Sequence, residues 1–264
     1  MCLPSVPDSF IWTHELWGAG LRCRPLEAIA PHFFTTRQLE LSSAEDWARV
    51  AGAIGASRVM TLAQVHGRHV VTVREGQAWP RERPEGDVLV SDAADAAVAV
   101  RAADCVPLLM ADPISGAVAA VHAGWRGTAA GAAPAAVEAL QRDFGARPQD
   151  IVAAIGPSIG ACCYEVGSAL VDAFATAGHP RHLVDRWFVT LPVRRGERGA
   201  PTLRLDLWSA NRDQLVLAGV VEENIHICGL CTASNLEVFP SFRAERERAG
   251  RIAAAIRSKG KNKR

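Results

Sequence analysis

Residues 105–127 read CVPLLMADPISGAVAAVHAGWRG. Two apolar runs flank DPISG, a segment of turn formers. The pattern predicts a β-hairpin whose loop is Asp112 to Ser115. Ala111 then pairs with Gly116, and that register sets Cys105 directly opposite His122. Opposed residues share a face, with Cβ atoms roughly 4.5–5.5 Å apart. A thiolate and an imidazole so placed can reach one zinc ion, at about 2.3 Å from sulfur and about 2.0 Å from nitrogen. The inference depends on register, because a loop one residue longer or shorter sends the two to opposite faces.

Both residues also fall at strand ends. Cys105 opens one strand after Ala103 and Asp104, and His122 closes the other just before AGWRG. His66 has the same setting in QVHG (64–67). Strand ends beside glycine turns are where functional groups become accessible. His66, Cys105 and His122 are therefore the candidate metal ligands. The pattern is that of a three-ligand catalytic site with a fourth position for water or substrate.

Working outward, residues 10–24 read as strand material with a turn at WGAG, and 43–54 as a helix capped by Ser43. Strands are expected over RVMTLAQVHG, HVVTVRE, DVLVSD and AAVAVRAAD, ending at Gly67 in the first. A helix is expected from about Thr128 to Phe144, then a strand at IVAAIG and a helix at SALVDAFATAG. RHLVDRWFVTLP and TLRLDL read as strands around an exposed loop, VRRGERGAP (193–201). WSANRDQLVLAGV reads as a helix ending at Gly219, NIHICGL as a short strand and AERERAGRIAAAIR as a helix. Strands outnumber helices without regular alternation, which predicts α+β with mixed sheets rather than a doubly wound fold.

The bulk numbers fit this picture. The 264 residues are 49% apolar and 22% charged, ordinary for a globular protein with a real core. A net charge of +1 argues against electrostatic capture of nucleic acid. The three lysines, Lys259, Lys261 and Lys263, crowd into SKGKNKR, expected to be a solvated, frayed end. No apolar run nears the roughly 18–20 residues that span a bilayer, and the first residues lack a signal-peptide pattern. The expected location is cytoplasmic, with neither nucleic-acid nor membrane partners. Seven cysteines suit a reducing compartment. Cys162 and Cys163 read as packing residues at a tight turn, and Cys228 and Cys231 form a CxxC with no second pair at zinc-finger spacing.

The segments FFTTR (33–37), QVHG (64–67), GDVLVSD (86–92), RAADCVPLLM (101–110), AVAAVHAGWRGT (117–128), IGPSIGACCYEVG (155–167), LDLWSANRDQL (205–215), CT (231–232) and FPSFRAERERAGR (239–251) carry a resemblance. In them the sequence resembles the YfiH/laccase-domain family, also described as peptidoglycan editing factors and purine nucleoside phosphorylases. The resemblance implies a single α+β domain of four layers, two mixed β-sheets flanked by helices. The resemblance covers about residues 30–251; the domain is expected over 1–251, leaving 252–264 as a helix end and basic tail. It implies zinc on His66, Cys105 and His122, with copper the second candidate. Implied substrates are a purine nucleoside and phosphate, acted on by a monomer or weak homodimer. Where the family carries a glycine-rich loop after its TR motif, this chain runs TTRQLELSSAEDWARV, a shorter stretch.

Further candidates follow. Arg37 of the TR motif is expected at the pocket, holding phosphate through its planar fork. Arg126 either holds an anion or clamps the turn, and Trp125 is the tryptophan expected to wall the pocket. Asp104 either accepts a proton, orients the ligands or caps a turn. The leading function is phosphorolysis of adenosine, inosine or methylthioadenosine, together with adenosine deamination by an activated water. The alternatives are a Cys105–His122 hydrolase editing a peptidoglycan precursor, a copper polyphenol oxidase and an inactive metal-binding paralogue.

Overall fold

The computed structural model describes residues 3–191 and 201–260. The expected loop at 193–201 lies outside the described residues except for Pro201, as do residues 261–264 of the tail. The chain opens with β1 (Phe10–Glu15), β2 (Gly18–Cys23), α1 (Arg24–Ile29) and β3 (His32–Thr35). It continues through α2 (Ala44–Ala53), β4 (Arg58–Thr61), β5 (Val70–Val73), β6 (Val88–Ser91) and β7 (Ala96–Ala102). The central hairpin is β8 (Val106–Ala111) and β9 (Val118–Ala123), followed by α3 (Trp125–Ala130) and α4 (Ala132–Phe144). Then come β10 (Val152–Ile155), α5 (Ala169–Thr176), α6 (Arg181–Trp187), β11 (Phe188–Leu191) and β12 (Thr202–Leu205). The last elements are α7 (Leu207–Leu217), β13 (Ile225–Ile227), α8 (Phe242–Glu245) and β14 (Ile252–Arg257).

Two six-stranded mixed sheets result, in the orders β1-β2-β3-β14-β7-β4 and β13-β10-β8-β9-β6-β5. Strand alternation divides the side chains among three cores. Val98 and Val100 of β7 meet Leu109 of β8 and Ala120 of β9 between the sheets. Ala97 and Ala99 turn the other way, onto Val50 and Ile54 around α2. Leu108, Met110 and Val121 turn outward onto Ala136, Leu140 and Leu215 of α4 and α7. The layers are therefore helix, sheet, sheet, helix. The Ser43 cap of α2 is present as a capping box with Asp46. Among the described residues no helix is long and apolar enough to cross a membrane.

Several local expectations are corrected. Residues 252–257 are not a helix end but β14, paired between β3 and β7. Alanine favours helix intrinsically. Here, though, Ile252, Ala254 and Ile256 fill the inter-sheet core while Ala253 and Ala255 fill the α2 side. Burial on both faces of a crowded slot overrides the propensity. The tail's start is also anchored, with the Ser258 hydroxyl donating to the Gly116 carbonyl at 2.7 Å and Lys259 Nζ to the Ala28 carbonyl at 2.9 Å. RHLVDRW is α6, not strand, because Leu183, Val184 and Trp187 bury with helical spacing. The expected helix 128–144 is two helices broken at Gly131, whose φ of 82° ends α3. The strand expected to reach Gly67 stops at Thr61, leaving QVHG in a loop.

The hairpin register shifts by two. Ala111 pairs with Val118, so the loop covers residues 112–117 and His122 opposes Pro107. Asp112 stabilises this longer loop by accepting from the Ile114 and Ser115 backbones. A shift of two preserves parity. Cys105 and His122 thus remain on one face as diagonal neighbours rather than direct partners.

Candidate metal centre

The side-chain nitrogens of His66 and His122 and the sulfur of Cys105 all lie within 4.8 Å of one another. The two imidazole rings meet edge-on, with centroids 4.9 Å apart and planes at 78°. Tetrahedral bonds of about 2.3 Å to sulfur and about 2.0 Å to nitrogen place such donors about 3.5 Å apart. Small rotations close that difference. His122 is buried within β9, Cys105 is half-buried and His66 is exposed at the cleft.

Asp87 organises two of these candidate ligands. It is fully buried and directly precedes β6, which pairs with β9. Its Oδ1 lies 2.8 Å from His122 Nδ1 and accepts the His66 backbone N–H at 3.0 Å. Its Oδ2 accepts from the backbones of Gly67 at 2.6 Å and Val65 at 3.3 Å. A carboxylate only accepts, so the proton of neutral His122 sits on Nδ1 and Nε2 is left for a metal. The same carboxylate holds the QVHG loop in the shape that gives His66 a φ of 62°. Burial pushes the Asp87 carboxyl up, but His122 and the Gly67 and His66 N–H groups outweigh it, and the net shift is downward.

Glycine makes the close approach possible on the other side. A Cβ at Gly124 would stand 2.7 Å from Cys105 Sγ and 3.4 Å from His66 Cδ2. Burial raises the Cys105 thiol, yet hydrogen bonds and charge from His122 and His66 bring it below its ordinary value. His122 moves the opposite way: burial lowers it, and Asp87 and Cys105 more than compensate. The pair thus favours thiolate beside imidazolium, from which a cation would displace only the His122 Nε2 proton while Nδ1–H still donates to Asp87. A thiolate, two imidazoles and a carboxylate behind one imidazole make a donor set suited to a borderline cation.

Two clefts meet at this trio. The larger, about 600 Å³, is lined by His66, Cys105, His122, Gln64, Arg101, Arg251 and Glu40. The smaller, about 280 Å³, is walled by Trp125, Tyr164, Phe242, Leu207, Asp104, Arg126 and Arg243. His66, Ala103, Cys105 and Phe242 face both. Arg126 lies 4.5 Å over the Trp125 ring and Arg243 lies 5.1 Å over the Tyr164 ring. Burial, with the Cys105 charge adding to it, pushes Tyr164 up to about 12, so its hydroxyl stays protonated at neutral pH.

The structure brings Trp125, Arg126 and Asp104 to the smaller cleft. Asp104, at a φ of 79°, has both oxygens engaged, accepting from Thr232 Oγ1 and the Arg243 backbone at 2.6 Å each. That geometry makes it a tether for the cleft wall. Arg37 is not brought to either cleft. It pairs with Glu245 at 2.5 Å and donates to the Leu236 carbonyl, lining a groove beside the larger cleft. The short stretch after it buries Leu39 and Leu41 and leaves Glu40 on the larger cleft. Asp87, Gln64, Arg101, Tyr164, Phe242 and Arg243 were not singled out from sequence. For Asp87 a signal existed: pairing the strand after GD with the strand that ends at His122 sets the two side by side.

Comparison with known proteins fits this architecture. Residues 34–259 match a protein-family model described as multi-copper polyphenol oxidoreductase laccase. The chain belongs to that family. A protein named purine nucleoside phosphorylase from Deinococcus radiodurans is 36% identical over 246 residues, which are 86% of this chain and 88% of that protein. One named adenosine deaminase RL5, from an unknown prokaryotic organism, is 39% identical over 170 residues, 64% of this chain and 61% of its own length. The crystal structure of the Bacillus licheniformis hypothetical protein YfiH superposes with a TM-score of 0.80 at 27% identity, covering 95% of this chain and 99% of that one.

Proposed function

We propose that this family member is a zinc-dependent purine nucleoside enzyme, carrying out phosphorolysis of adenosine, inosine or methylthioadenosine and deamination of adenosine. The observation that carries the reading is one wall, His66 and Cys105, shared by an aromatic cleft and a cationic one. The names of the relatives give it substrate class. His66, Cys105 and His122 would hold the metal, which when bound supplies Lewis acidity toward an oxygen of the attacking group. The smaller cleft sits near the lower end of the roughly 300–1,000 Å³ of small-molecule sites. Trp125, Tyr164 and Phe242 suit a flat, apolar purine, and Arg126 at the rim suits its polar edge. Asp87 fixes the His122 tautomer, and Asp104 fixes the segment carrying Phe242 and Arg243. Incubating purified protein with adenosine, with and without phosphate, tests the reading. Adenine with ribose 1-phosphate, or inosine, is expected, and the appearance of none of them refutes it.

One observation favours a second reading. Cys105, His122 and Asp87 stand in the order nucleophile, base and orienting carboxylate. A hydrolase built on them would cleave an amide in a peptidoglycan precursor without metal. Chelation separates the two readings, because it abolishes the first activity and spares the second.

A further inference from the structure

The larger cleft contains two arginines that the metal trio does not account for. Arg101 is half-buried at the end of β7, and among the described residues its guanidinium makes no hydrogen bond or ion pair. Its backbone is gripped on both sides by Gln64: the Arg101 N–H donates to Gln64 Oε1 at 2.9 Å and Gln64 Nε2 donates to the Arg101 carbonyl at 2.8 Å. Gln64 belongs to the loop that presents His66, so the arginine and the ligand are fixed by one segment. Arg251 stands on the same lining, with Nη1 donating to the carbonyls of Ala249 and Gly250 at 2.7 and 2.8 Å. That anchors the side chain and leaves the rest of its fork for another acceptor.

Burial, and then the charges of Arg83 and Arg251, bring Arg101 below its ordinary value. Like charges drawn together inside a half-buried cleft are costly unless an anion joins them. Glu40 is the carboxylate on this lining; it is exposed and ion-pairs with neither arginine among the described residues. Three other arginines near the trio are engaged, while Arg246 lines the smaller cleft. Arg37 is paired to Glu245, Arg126 is stacked on Trp125, and Arg243 gives both terminal nitrogens to the Glu165 carbonyl.

We propose that Arg101 and Arg251 form an oxyanion subsite for a phosphate group, opening directly onto His66 and Cys105. The choice of phosphate rests on the nucleoside-phosphorylase reading; the cationic site itself does not. Two planar forks can hold three oxygens of one tetrahedral anion while the fourth faces the neighbouring cleft across the shared wall.

Thermal unfolding of the full chain, at fixed ionic strength set with sodium chloride, tests the subsite directly. Inorganic phosphate raises the unfolding midpoint of the native protein by mass action. Arg101→Met and Arg251→Gln abolish that rise, and Arg126→Gln retains it. Arg101→Lys keeps the test open should the methionine variant fail to fold: it retains the charge, loses the fork and shows a smaller rise. A phosphate-induced rise that survives in both Arg101→Met and Arg251→Gln overturns the subsite, as does no rise in the native protein. Ribose 5-phosphate in a parallel arm separates the sources: a larger rise than with inorganic phosphate assigns the ester, a smaller one the free ion.

Kinetics then distinguish this inference from the function it leans on. Both variants should raise the KM for phosphate about tenfold or more. The KM for nucleoside should stay within about twofold. Arginine-dependent phosphate binding without nucleoside turnover keeps the subsite and removes the phosphorylase reading. Turnover with an unchanged phosphate KM in both variants does the reverse.

Discussion

Among the described residues, three metal-capable side chains come together in two places, and the two are built differently. His66, Cys105 and His122 form one; Cys162, Cys163 and Cys231 form the other, and in each the donor atoms lie within 4.8 Å of one another. Spacing does not tell them apart. Their surroundings do. Behind the first stands Asp87, buried and bonded to the His122 ring and the His66 backbone. Around the second, the Cys162 and Cys163 sulfurs lie near the Ser234 hydroxyl, and no residue of that trio lines the two clefts. The thiol chemistry diverges accordingly. Although burial works against it, Cys105 is brought down to about 6 by two imidazoles, while burial and the neighbouring Cys231 thiol push Cys162 up to about 12. A thiol that ionises readily beside neutralisable imidazoles is a ligand; one that stays protonated is first of all a packing group. What makes a centre is the electrostatic frame that prepares the donors.

The sharpest way to break this contrast is to delete one sulfur from each cluster. By elemental analysis the native protein should carry one zinc per chain and Cys105→Ser only a trace, with turnover abolished. Cys162→Ser should leave the zinc content unchanged. If the two variants lose metal equally, the distinction fails.

Comparing the clusters in acid requires the limit set by the fold itself, which His32 supplies. Burial lowers His32 from its ordinary value to about 4, only partly offset by the Ala30 carbonyl. Its Nδ1–H donates to that carbonyl and its Nε2 accepts from the Cys23 N–H, so a second proton has no place. The folded pKa is below the unfolded one, so the unfolded chain binds more protons between the two values. Stability is therefore complete above about pH 6.5 and falls by about 3 kcal/mol as the pH drops to about 4. Urea midpoints of the metal-free chain across that range should fall together with the pH. A flat profile refutes the assignment, and His32→Gln should flatten it.

Asp87→Asn probes the frame without touching a ligand. Zinc affinity, measured by competition with a chromogenic chelator, should fall about 10–100-fold. An unchanged affinity would reduce the two clusters to the same kind of object. The smallest effects belong to two glycines. A Cβ at Gly124 meets Cys105 Sγ at 2.7 Å, and one at Gly160 meets the Trp208 ring at 2.8 Å. Each alanine variant should cost near the lower end of roughly 1–3 kcal/mol in thermal stability. Only Gly124→Ala should weaken zinc binding.

Much of the centre was legible because parity is forgiving. The hairpin loop was read two residues short, yet Cys105 and His122 still share a face. An error of one would have separated them. The carboxylate behind His122 escaped notice because Asp87 reaches it across a strand pairing that local pattern does not reveal. The same blindness explains β14. IAAAIR has the composition of a helix, and its slot between two distant strands is a property of the whole sheet. Arg37 was drawn toward the pocket by its motif, and its pairing with Glu245, 208 residues away, is likewise invisible locally.

That late strand bears on how the protein is made. The sheet carrying Arg101 has its middle filled by residues 252–257, which come later in the chain than both of the strands they join. While the ribosome is still translating, β3 and β7 face an empty slot and expose sticky backbone edges. A chain that stops before residue 252 leaves that slot open, with the edges of β3 and β7 unpaired. Completion of that sheet therefore waits on β14, the last of its six strands in chain order.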